Sequence, residues 1–395
     1  MPGKIGIVIQ RYGLEINGGA EYHARLIAEK LLKYVAVEVF TTTALDYVTW
    51  GHYLENRREI INGVMVNRFR VERQRDPHRF AEWQNRVFHE EHSSADELSW
   101  LDEEGPLCPS LIRELEIRER EFDYFVFFSY RYYHSYWGIR TFPRKSILVP
   151  TAEHDEVIGL RLFKDFFRLP SAIIYNSLEE RELIHRISGN SGVLGDVVGV
   201  GSDIPSRFHS AETEKKFAIR GQYAIYIGRL DENKGVPELL RFYSRFLKET
   251  GSVLDLVLVG KSVIPVPAHP NIRHVGFLAD QEKFDLLAGA EFLLIPSQYE
   301  SLCMVVLEAW ALGKPVVANG RTAVLKGQCQ RSHAGLWYTN YEEFKEAVSL
   351  LTEDGKLREK LGRNGRAFFH THYDWGVIEN KYLDLIRALD SDRMR

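Results

Sequence analysis

The chain has few cysteines and little excess charge, and each scarcity excludes a class of protein. The three cysteines are odd in number and follow no metal or disulfide spacing, so we expect a reducing compartment. The net charge of −4 gives no general basic footprint for nucleic acid, so no nucleic-acid partner is expected.

Long apolar segments are also missing. No run approaches the ~18–20 apolar residues that a membrane span needs. Residues 1–4 lead into a strand-like run without the apolar region and cleavage site of a signal peptide. The sequence therefore predicts a cytoplasmic protein, whose contact with the inner face of a membrane would be peripheral.

What the chain does contain is an alternation of buried strands and amphipathic helices. A chain of 395 residues is too long for one ordinary core, so two domains are expected. Apolar runs followed by helical periodicity predict parallel sheets covered on both faces, as in doubly wound α/β domains. The predicted strands lie at or near residues 4–9, 35–41, 64–69, 123–129, 145–149, 172–176, 193–198, 222–228, 254–259, 272–275, 291–295 and 315–318.

Two further stretches bear on the organisation of the chain. Residues 199–221 are polar and rich in turn formers, which makes them the best candidate linker. Residues 67–104 hold a run of arginines followed by a run of acids. This segment predicts a helical excursion with a solvated, internally paired surface; the alternative is that the arginines face anionic lipid.

Residues 296–315 combine a strand end, a turn and a helix that carries two carboxylates, Glu300 and Glu308. A rise of ~1.5 Å per residue would separate their backbones by ~12 Å. That is too far for the ~5–9.5 Å of a hydrolytic pair, but it suits the two ends of one elongated ligand. The helix start at Ser301, Leu302, Cys303 and Met304 would offer N–H groups to a phosphate. The alternative is that Glu300 caps the helix and Glu308 faces water.

Arg229 and Lys234 lie between a predicted strand and a predicted helix, at the edge where open α/β sheets bind ligands. A guanidinium and an ammonium together could neutralise a diphosphate, although a plain surface turn is the alternative. Gly18 and Gly19 open the first helix and would let a ligand approach the backbone; a simple helix-opening turn fits them equally.

His154 follows a predicted strand and could donate a hydrogen bond to a sugar hydroxyl. The alternatives are a loop histidine paired with Asp155 and a metal cluster with Glu153 and Glu156. The segment 274–278 could pair with the edge of a base, or form an ordinary turn between strand and helix.

Four stretches together resemble the retaining glycosyltransferases of family 4: YGLEINGGAE at 12–21, PTAEHDE at 150–156, GRLDENKG at 228–235 and ESLCMVVLEA at 300–309. The resemblance implies the GT-B fold, an α/β architecture of two facing Rossmann-like domains with a cleft between them. A C-terminal helix would cross back to the N-domain. The implied acceptor-binding domain comprises residues 1–204 plus 377–395, and the implied donor-binding domain comprises residues 205–376.

The resemblance also implies roles for these residues. Glu300 and Glu308 match the E-x7-E motif, with Glu300 on hydroxyls of the transferred sugar and Glu308 on the ribose. Arg229 and Lys234 match the pair on the donor diphosphate. The other implied contacts are a loop closing over the reacting centre at Gly18 and Gly19, a residue near the transferred sugar at His154, and a uracil- or guanine-reading turn that includes Gly276, Phe277 and Leu278. The chain departs from the pattern at Cys303, where a small Gly or Ser is expected, and at Glu153, which shifts the register of His154.

The implied reaction is transfer of a hexose from a nucleotide-sugar to a glycan or lipid-linked saccharide in surface polysaccharide biosynthesis. UDP-glucose is the first expectation for the donor and GDP-mannose the second. No cofactor and no metal is expected, because Arg229 and Lys234 would supply the charge that Mg²⁺ brings elsewhere. The alternatives are a sugar-nucleotide 2-epimerase on the same fold, for which no extra acid/base cluster is visible, and a non-catalytic nucleotide-sugar binder.

Overall fold

The computed structural model describes residues 3–51 and 54–393, which form two compact units. The first unit runs to Val200 and includes the end of the chain from Ile378; the second is Gly201–Val377. The sequence places the corresponding boundaries at 204/205 and 376/377.

The first unit contains an eight-stranded sheet in the order β3-β4-β2-β1-β5-β6-β7-β8. All neighbouring strands are parallel except β3, which runs antiparallel to β4. The edge strand β3 is not predicted by the sequence because it is mostly exposed and has no buried apolar run. The strands are β1 Lys4–Val8, β2 Ala36–Thr42, β3 Arg58–Ile61, β4 Val64–Phe69, β5 Tyr124–Phe128, β6 Ser146–Val149, β7 Ala172–Tyr175 and β8 Leu194–Val197.

Helices pack in this unit through their apolar side chains. In the first helix, helical spacing predicts one face made of Ala20, Ala24, Ile27, Ala28 and Leu31; the last four are buried and Ala20 is half-buried. The helices of this part of the chain are α1 Gly19–Leu31, α2 Pro77–His89, α3 Ser94–Glu104, α4 Pro109–Ile117, α5 Tyr133–Thr141, α6 Arg161–Lys164 and α7 Leu178–Ser188.

The charged segment 67–104 forms α2, α3 and the chain before them, and its charges pair internally, as predicted. Glu103 accepts ion pairs from Arg73 and Arg79 at 2.6 and 3.0 Å, and Arg75 lies 2.9 Å from Glu104. The prediction of a solvated surface is wrong for Arg75, Glu103 and Glu104, which are buried. Their charges neutralise each other, which lowers the cost of removing them from water.

The second unit contains a six-stranded sheet in the order β11-β10-β9-β12-β13-β14, with all neighbours parallel. Numbered within the unit, this order is 3-2-1-4-5-6, which is the doubly wound arrangement with its switch point between β9 and β12. The edge strand β14 is the one strand of this sheet that the sequence does not predict. The strands are β9 Tyr223–Ile227, β10 Asp255–Val259, β11 Ile272–Gly276, β12 Phe292–Ile295, β13 Val316–Asn319 and β14 Gly335–Tyr338.

Helical periodicity after Pro237 predicts a buried face for one helix of the second unit, α9. In α9, Leu239, Leu240, Tyr243, Phe246 and Leu247 are all buried. The helices are α8 Ser210–Lys216, α9 Val236–Thr250, α10 Asp280–Gly289, α11 Met304–Ala311, α12 Ala323–Ser332, α13 Tyr341–Glu353 and α14 Gly355–His372.

The last helix, α15 Trp375–Arg393, belongs to the first unit from Ile378 onward. Glu379 pairs with Lys33 at 2.7 Å, and the Tyr124 hydroxyl donates to Asp390 at 2.9 Å. Helical spacing of the sequence predicts one apolar face for this helix, and its four residues are buried: Ile378, Tyr382, Leu385 and Leu389. Among the described residues, no helix combines the length and the apolar character needed to cross a membrane.

Candidate active site

Three of the predicted donor-binding residues, Arg229, Lys234 and Glu300, lie in loops at the switch point of the second sheet. β9 and β12 are neighbours, so the loops 228–235 and 296–303 leave the same edge side by side. The backbones of the two loops touch, because a Cβ added to Gly235 would lie 2.2 Å from the carbonyl oxygen of Pro296. Ligands of open α/β sheets bind at such a point.

Lys234 and Glu300 join these two loops through an ion pair. The Lys234 Nζ lies 2.7 Å from the Glu300 Oε1, although the residues are 66 positions apart in the chain. The Glu300 side chain is 11% exposed and that of Lys234 is 33% exposed, so solvent reaches the cation more than the acid. The alternative that Glu300 caps the helix is wrong, because α11 begins at Met304 and its N-cap is Cys303.

Arg229 and Lys234 are held by one buried acid, Asp231. Its Oδ1 accepts the backbone N–H of Lys234 at 2.8 Å, and its Oδ2 accepts from the Arg229 Nε. The Arg229 side chain remains half exposed. The sequence reading missed Asp231, although an acid between two cations in GRLDENKG was a visible signal.

Glu308 is buried on the second turn of α11, so the alternative that it faces water is wrong. Its Oε1 lies 3.0 Å from the Nζ of Lys283 on α10. Burial raises the pKa of the Glu308 carboxyl, and the ammonium of Lys283 opposes that rise. Lys283 is a second residue that the sequence reading missed.

The turn before α11 contains Ser301, Leu302, Cys303 and Met304 and holds a strained residue. Cys303 has φ +66°, a left-handed conformation that glycine adopts without cost, and it is buried. The carbonyl oxygen of Leu302 accepts from Gln328 at 2.7 Å, which fixes the turn against α12. Burial raises the pKa of the Cys303 thiol, so the thiolate form that would react is suppressed.

The backbone strain at Cys303 can be tested by substituting the residue. We expect Cys303→Gly to be more stable than Cys303→Ala by ~1 kcal/mol, because alanine keeps the Cβ that opposes positive φ. The matched control is Cys329, a buried cysteine inside α12, where alanine should be the more stable substitution by ~1 kcal/mol. Urea unfolding of the four variants measures both differences, and the same order at the two positions would contradict the strain.

The predicted base-reading turn follows β11 on the same sheet edge. Gly276 has φ +78°, Phe277 is 53% exposed and Leu278 is buried. The His274 ring lies 2.8 Å from the carbonyl oxygen of Gly260 and is thereby tied to the strand next to it. The exposed Phe277 ring is therefore the part of this turn that a base could contact.

Three predicted residues belong to the first unit. Gly18 is the N-cap of α1 and Gly19 its first residue. A Cβ on Gly18 would lie 2.1 Å from the carboxylate of Glu21, which pairs with Arg11 at 2.7 Å. The start of α1 thus contains a carboxylate of the protein itself, a feature that the sequence reading did not foresee.

His154 is exposed in the loop after β6, at the carboxyl edge of the first sheet. Asp155 pairs with Arg131 at 3.0 Å, and within the residues that the structure covers it makes no ion pair with His154. The described ranges also contain no group of three potential metal ligands, so the cluster with Glu153 and Glu156 is not found there.

The loop that carries His154 is anchored by a buried acid, Glu180. Its Oε1 accepts the backbone N–H of Ala152 at 2.5 Å, and its Oε2 accepts the backbone N–H of Asn176. Burial raises the pKa of Glu180 to about 8. No sequence pattern pointed to Glu180, because its contact with the loop exists only in the fold.

Known proteins resemble this chain in part of its sequence and in its fold. Residues 210–368 match the family model described as "Glycosyl transferases group 1". The chain is 26% identical over 245 residues to a Campylobacter jejuni N,N'-diacetylbacillosaminyl-diphospho-undecaprenol alpha-1,3-N-acetylgalactosaminyltransferase, covering 57% of this chain and 62% of that protein. It is 25% identical over 206 residues to the alpha-D-kanosaminyltransferase of Streptomyces kanamyceticus, covering 46% and 52%. The chain thus spans less than two thirds of the length of these curated relatives. The predicted resemblance to glycosyltransferases is confirmed at this level.

Solved structures resemble nearly the whole chain. Sucrose-phosphate synthase from Thermosynechococcus elongatus superposes with a TM-score of 0.73 at 15% identity, covering 99% of this chain and 100% of that one. Anabaena HepE, solved in complex with UDP and glucose, gives 0.69 at 16% identity, covering 98% and 100%. With its two parallel-sheet α/β units and its C-terminal helix, the chain has the predicted GT-B fold.

Proposed function

We propose that this chain, whose residues 210–368 match the family model of the group 1 glycosyl transferases, transfers a hexose from a nucleotide-sugar with retention of configuration. UDP-glucose is the first donor to test and GDP-mannose the second. The acceptor is a glycan or a lipid-linked saccharide of surface polysaccharide biosynthesis. The names of similar proteins support this choice, since one acts on a diphospho-undecaprenol saccharide and one was solved with UDP and glucose.

The observation that carries the proposal is the pair of Lys234 and Glu300 at the switch point, with Arg229 in the same turn. A donor needs cations for its diphosphate and an acceptor of hydrogen bonds for its sugar hydroxyls. Here a cation and a carboxylate lie 2.7 Å apart on two adjoining loops. One nucleotide-sugar could therefore contact both.

Donor binding requires an exchange of partners at this pair. Without donor, Lys234 is neutralised by Glu300, and Arg229 by Asp231. The diphosphate competes with Glu300 for Lys234, because phosphate oxygens accept strong charge-assisted hydrogen bonds. Once Lys234 turns to the phosphate, the carboxylate of Glu300 is released to accept from the hydroxyls of the sugar.

The same cations then assist the chemistry. The bond between the anomeric carbon and the diphosphate breaks, and negative charge develops on the leaving oxygen beside Lys234 and Arg229. The acceptor hydroxyl attacks the oxocarbenium-like carbon from the same face and gives its proton to the departing diphosphate oxygen, so the configuration is retained. No metal is required in this scheme, because the two side chains carry the charge.

Other residues complete the proposed site. Glu308 accepts from the ribose, Phe277 and its neighbours Gly276 and Leu278 contact the base, and His154 contacts the transferred sugar. The loop at Gly18 and Gly19 closes over the reacting carbon. The assignments of Glu308 and of the turn at Gly276, Phe277 and Leu278 rest on the family resemblance together with their positions in the second unit. The assignments of His154, Gly18 and Gly19 rest on the family resemblance alone.

The test is incubation with UDP-glucose, GDP-mannose and related nucleotide-sugars, with and without acceptor extracts and with and without EDTA. A glycosylated product whose anomeric configuration matches the donor, and whose yield EDTA does not change, supports the proposal. An epimeric sugar nucleotide would indicate the 2-epimerase instead. Binding by calorimetry without any product would indicate a nucleotide-sugar binder.

A further inference from the structure

Lys283 and Glu308 form an ion pair inside the second unit that the scheme above leaves unexplained. The Nζ of Lys283 lies 3.0 Å from the Glu308 Oε1, and the two side chains are 14% and 6% exposed. Removing two charges from water is costly, and a buried pair often adds no net stability. A pair at this position therefore calls for a reason other than stability.

The two oxygens of Glu308 are in different situations. Oε1 is bound by Lys283, whereas Oε2 accepts no hydrogen bond from any residue in the ranges 3–51 and 54–393. Oε2 is also absent from the set of completely buried side-chain atoms that lack a hydrogen-bond partner, so it is not sealed off from solvent. Glu308 thus keeps one oxygen available to a ligand while Lys283 holds the other.

Lys283 also links Glu308 to the turn proposed to contact the base. That turn, at Gly276–Leu278, leads directly into α10, and Lys283 lies in the first turn of this helix. Glu308 lies on α11, which follows the loop containing Glu300. The pair therefore connects the base end of the proposed donor site with the end that holds the phosphate and the sugar.

We propose that Lys283 is a positioning residue that gives the site its specificity for ribose, by holding Glu308 so that Oε2 accepts a ribose hydroxyl. The inference rests on the proposed function, because it takes the role of Glu308 from there. A 2′- or 3′-deoxy nucleotide lacks one ribose hydroxyl. It therefore leaves Oε2 of the held carboxylate without a hydrogen-bond donor, and it binds more weakly.

The charge of Lys283 matters as well as its position. The charged or titratable groups that face Glu308 are Lys283 and Asp280 of α10 and the thiol of Cys303. Burial raises the pKa of Glu308, and Lys283 alone among these groups lowers it. Without Lys283 the carboxyl would hold its proton to higher pH, and a protonated carboxyl is a poorer acceptor.

The test compares the wild-type protein with Lys283→Met, Lys283→Arg and Glu308→Gln by calorimetry. The ligands are UDP, GDP, their 2′- and 3′-deoxy analogues and inorganic pyrophosphate. We expect the wild-type protein to prefer the ribonucleotide by ~10-fold or more, as for loss of one hydrogen bond to a charged group. In Lys283→Met this ratio should fall below ~3-fold, and Lys283→Arg should restore most of it.

Two readouts separate positioning from a general loss of structure. Pyrophosphate affinity, which the Lys234 end supplies, should stay unchanged in Lys283→Met. As the pH is lowered, the UDP affinity of this variant should also begin to fall at a higher pH than that of the wild-type protein, because loss of Lys283 raises the pKa of Glu308 and its acceptor form exists only above that pKa. A wild-type ribose preference in Lys283→Met overturns the inference.

The remaining outcomes identify which proposal fails. If the wild-type protein prefers ribonucleotides and Glu308→Gln abolishes the preference while Lys283→Met keeps it, the role of Lys283 is wrong and the proposed function stands. If the wild-type protein binds neither nucleotide nor pyrophosphate, the proposed function fails and this inference fails with it. Nucleotide binding without any ribose preference overturns the inference alone.

Discussion

Replacing Lys234 by alanine is expected to lower kcat/KM for sugar transfer by ~10²–10³-fold, as for loss of one donor to the charge that develops in a transition state. The ammonium should both bind the diphosphate and stabilise its departure, so the affinity for UDP should fall as well. Initial rates with the best donor and calorimetry with UDP measure the two effects.

The matched control for this variant is Lys345→Ala. Lys345 lies on α13, its side chain is 32% exposed, and it pairs with Glu342 at 3.0 Å. It therefore resembles Lys234 in exposure and in having a glutamate partner, but it lies away from the switch point. We expect its removal to change transfer and UDP affinity by less than ~2-fold. Equal losses in both variants would show that the effect is not specific to the site.

Glu300→Gln is expected to separate donor binding from transfer. The amide keeps the shape of the side chain but no longer competes for Lys234, so UDP should bind as tightly as to the wild-type protein or more tightly. Transfer should nevertheless be lost, because the amide is a weaker acceptor for sugar hydroxyls. Full activity of both Glu300→Gln and Lys234→Ala would refute the assignment of the site.

The sequence predicts most of the fold because buried parallel strands are continuous apolar runs. The strands that it misses are β3 and β14, each at one edge of its sheet. β3 contains a single buried residue and therefore no apolar run, and β14 is only four residues long and begins with a glycine. The sequence also misjudges Glu103 and Glu104, whose burial depends on arginines that the fold brings to them. The run of charges predicts that they pair, but not that the pairs are buried.

The candidate site, like the fold, is predicted only in part by the sequence. The sequence identifies Lys234 and Glu300 as candidate site residues because each follows the end of a predicted strand. Their ion pair could not be predicted, because the two residues are 66 positions apart and only the order of the strands in the sheet brings them together. Lys283 and Glu180 were missed for a related reason. Each acts on a residue of another element, and neither is part of a motif that the family resemblance contains.

Gly235→Ala is expected to destabilise the protein by ~3–5 kcal/mol, which combines the cost of positive φ with the cost of overpacking. Gly235 has φ +70°, and an added Cβ would meet the carbonyl oxygen of Pro296 at 2.2 Å. Neither the residue nor this backbone partner can move without separating the loops that carry Lys234 and Glu300. Urea or thermal unfolding measures the loss.

Gly251→Ala is the control that isolates the clash. Gly251 ends the same helix that Gly235 begins, it also has φ +70°, and no atom lies within 4 Å of an added Cβ. We expect it to lose only ~1–2 kcal/mol, the cost of the left-handed conformation alone. The difference in destabilisation between the two variants then measures the cost of the clash between the added Cβ at Gly235 and the carbonyl oxygen of Pro296. If the loops hold Lys234 beside Glu300, folded Gly235→Ala protein should also bind pyrophosphate more weakly, whereas Gly251→Ala should bind it normally. Equal destabilisation and unchanged binding in both would mean that the contact between Gly235 and Pro296 does not shape the site.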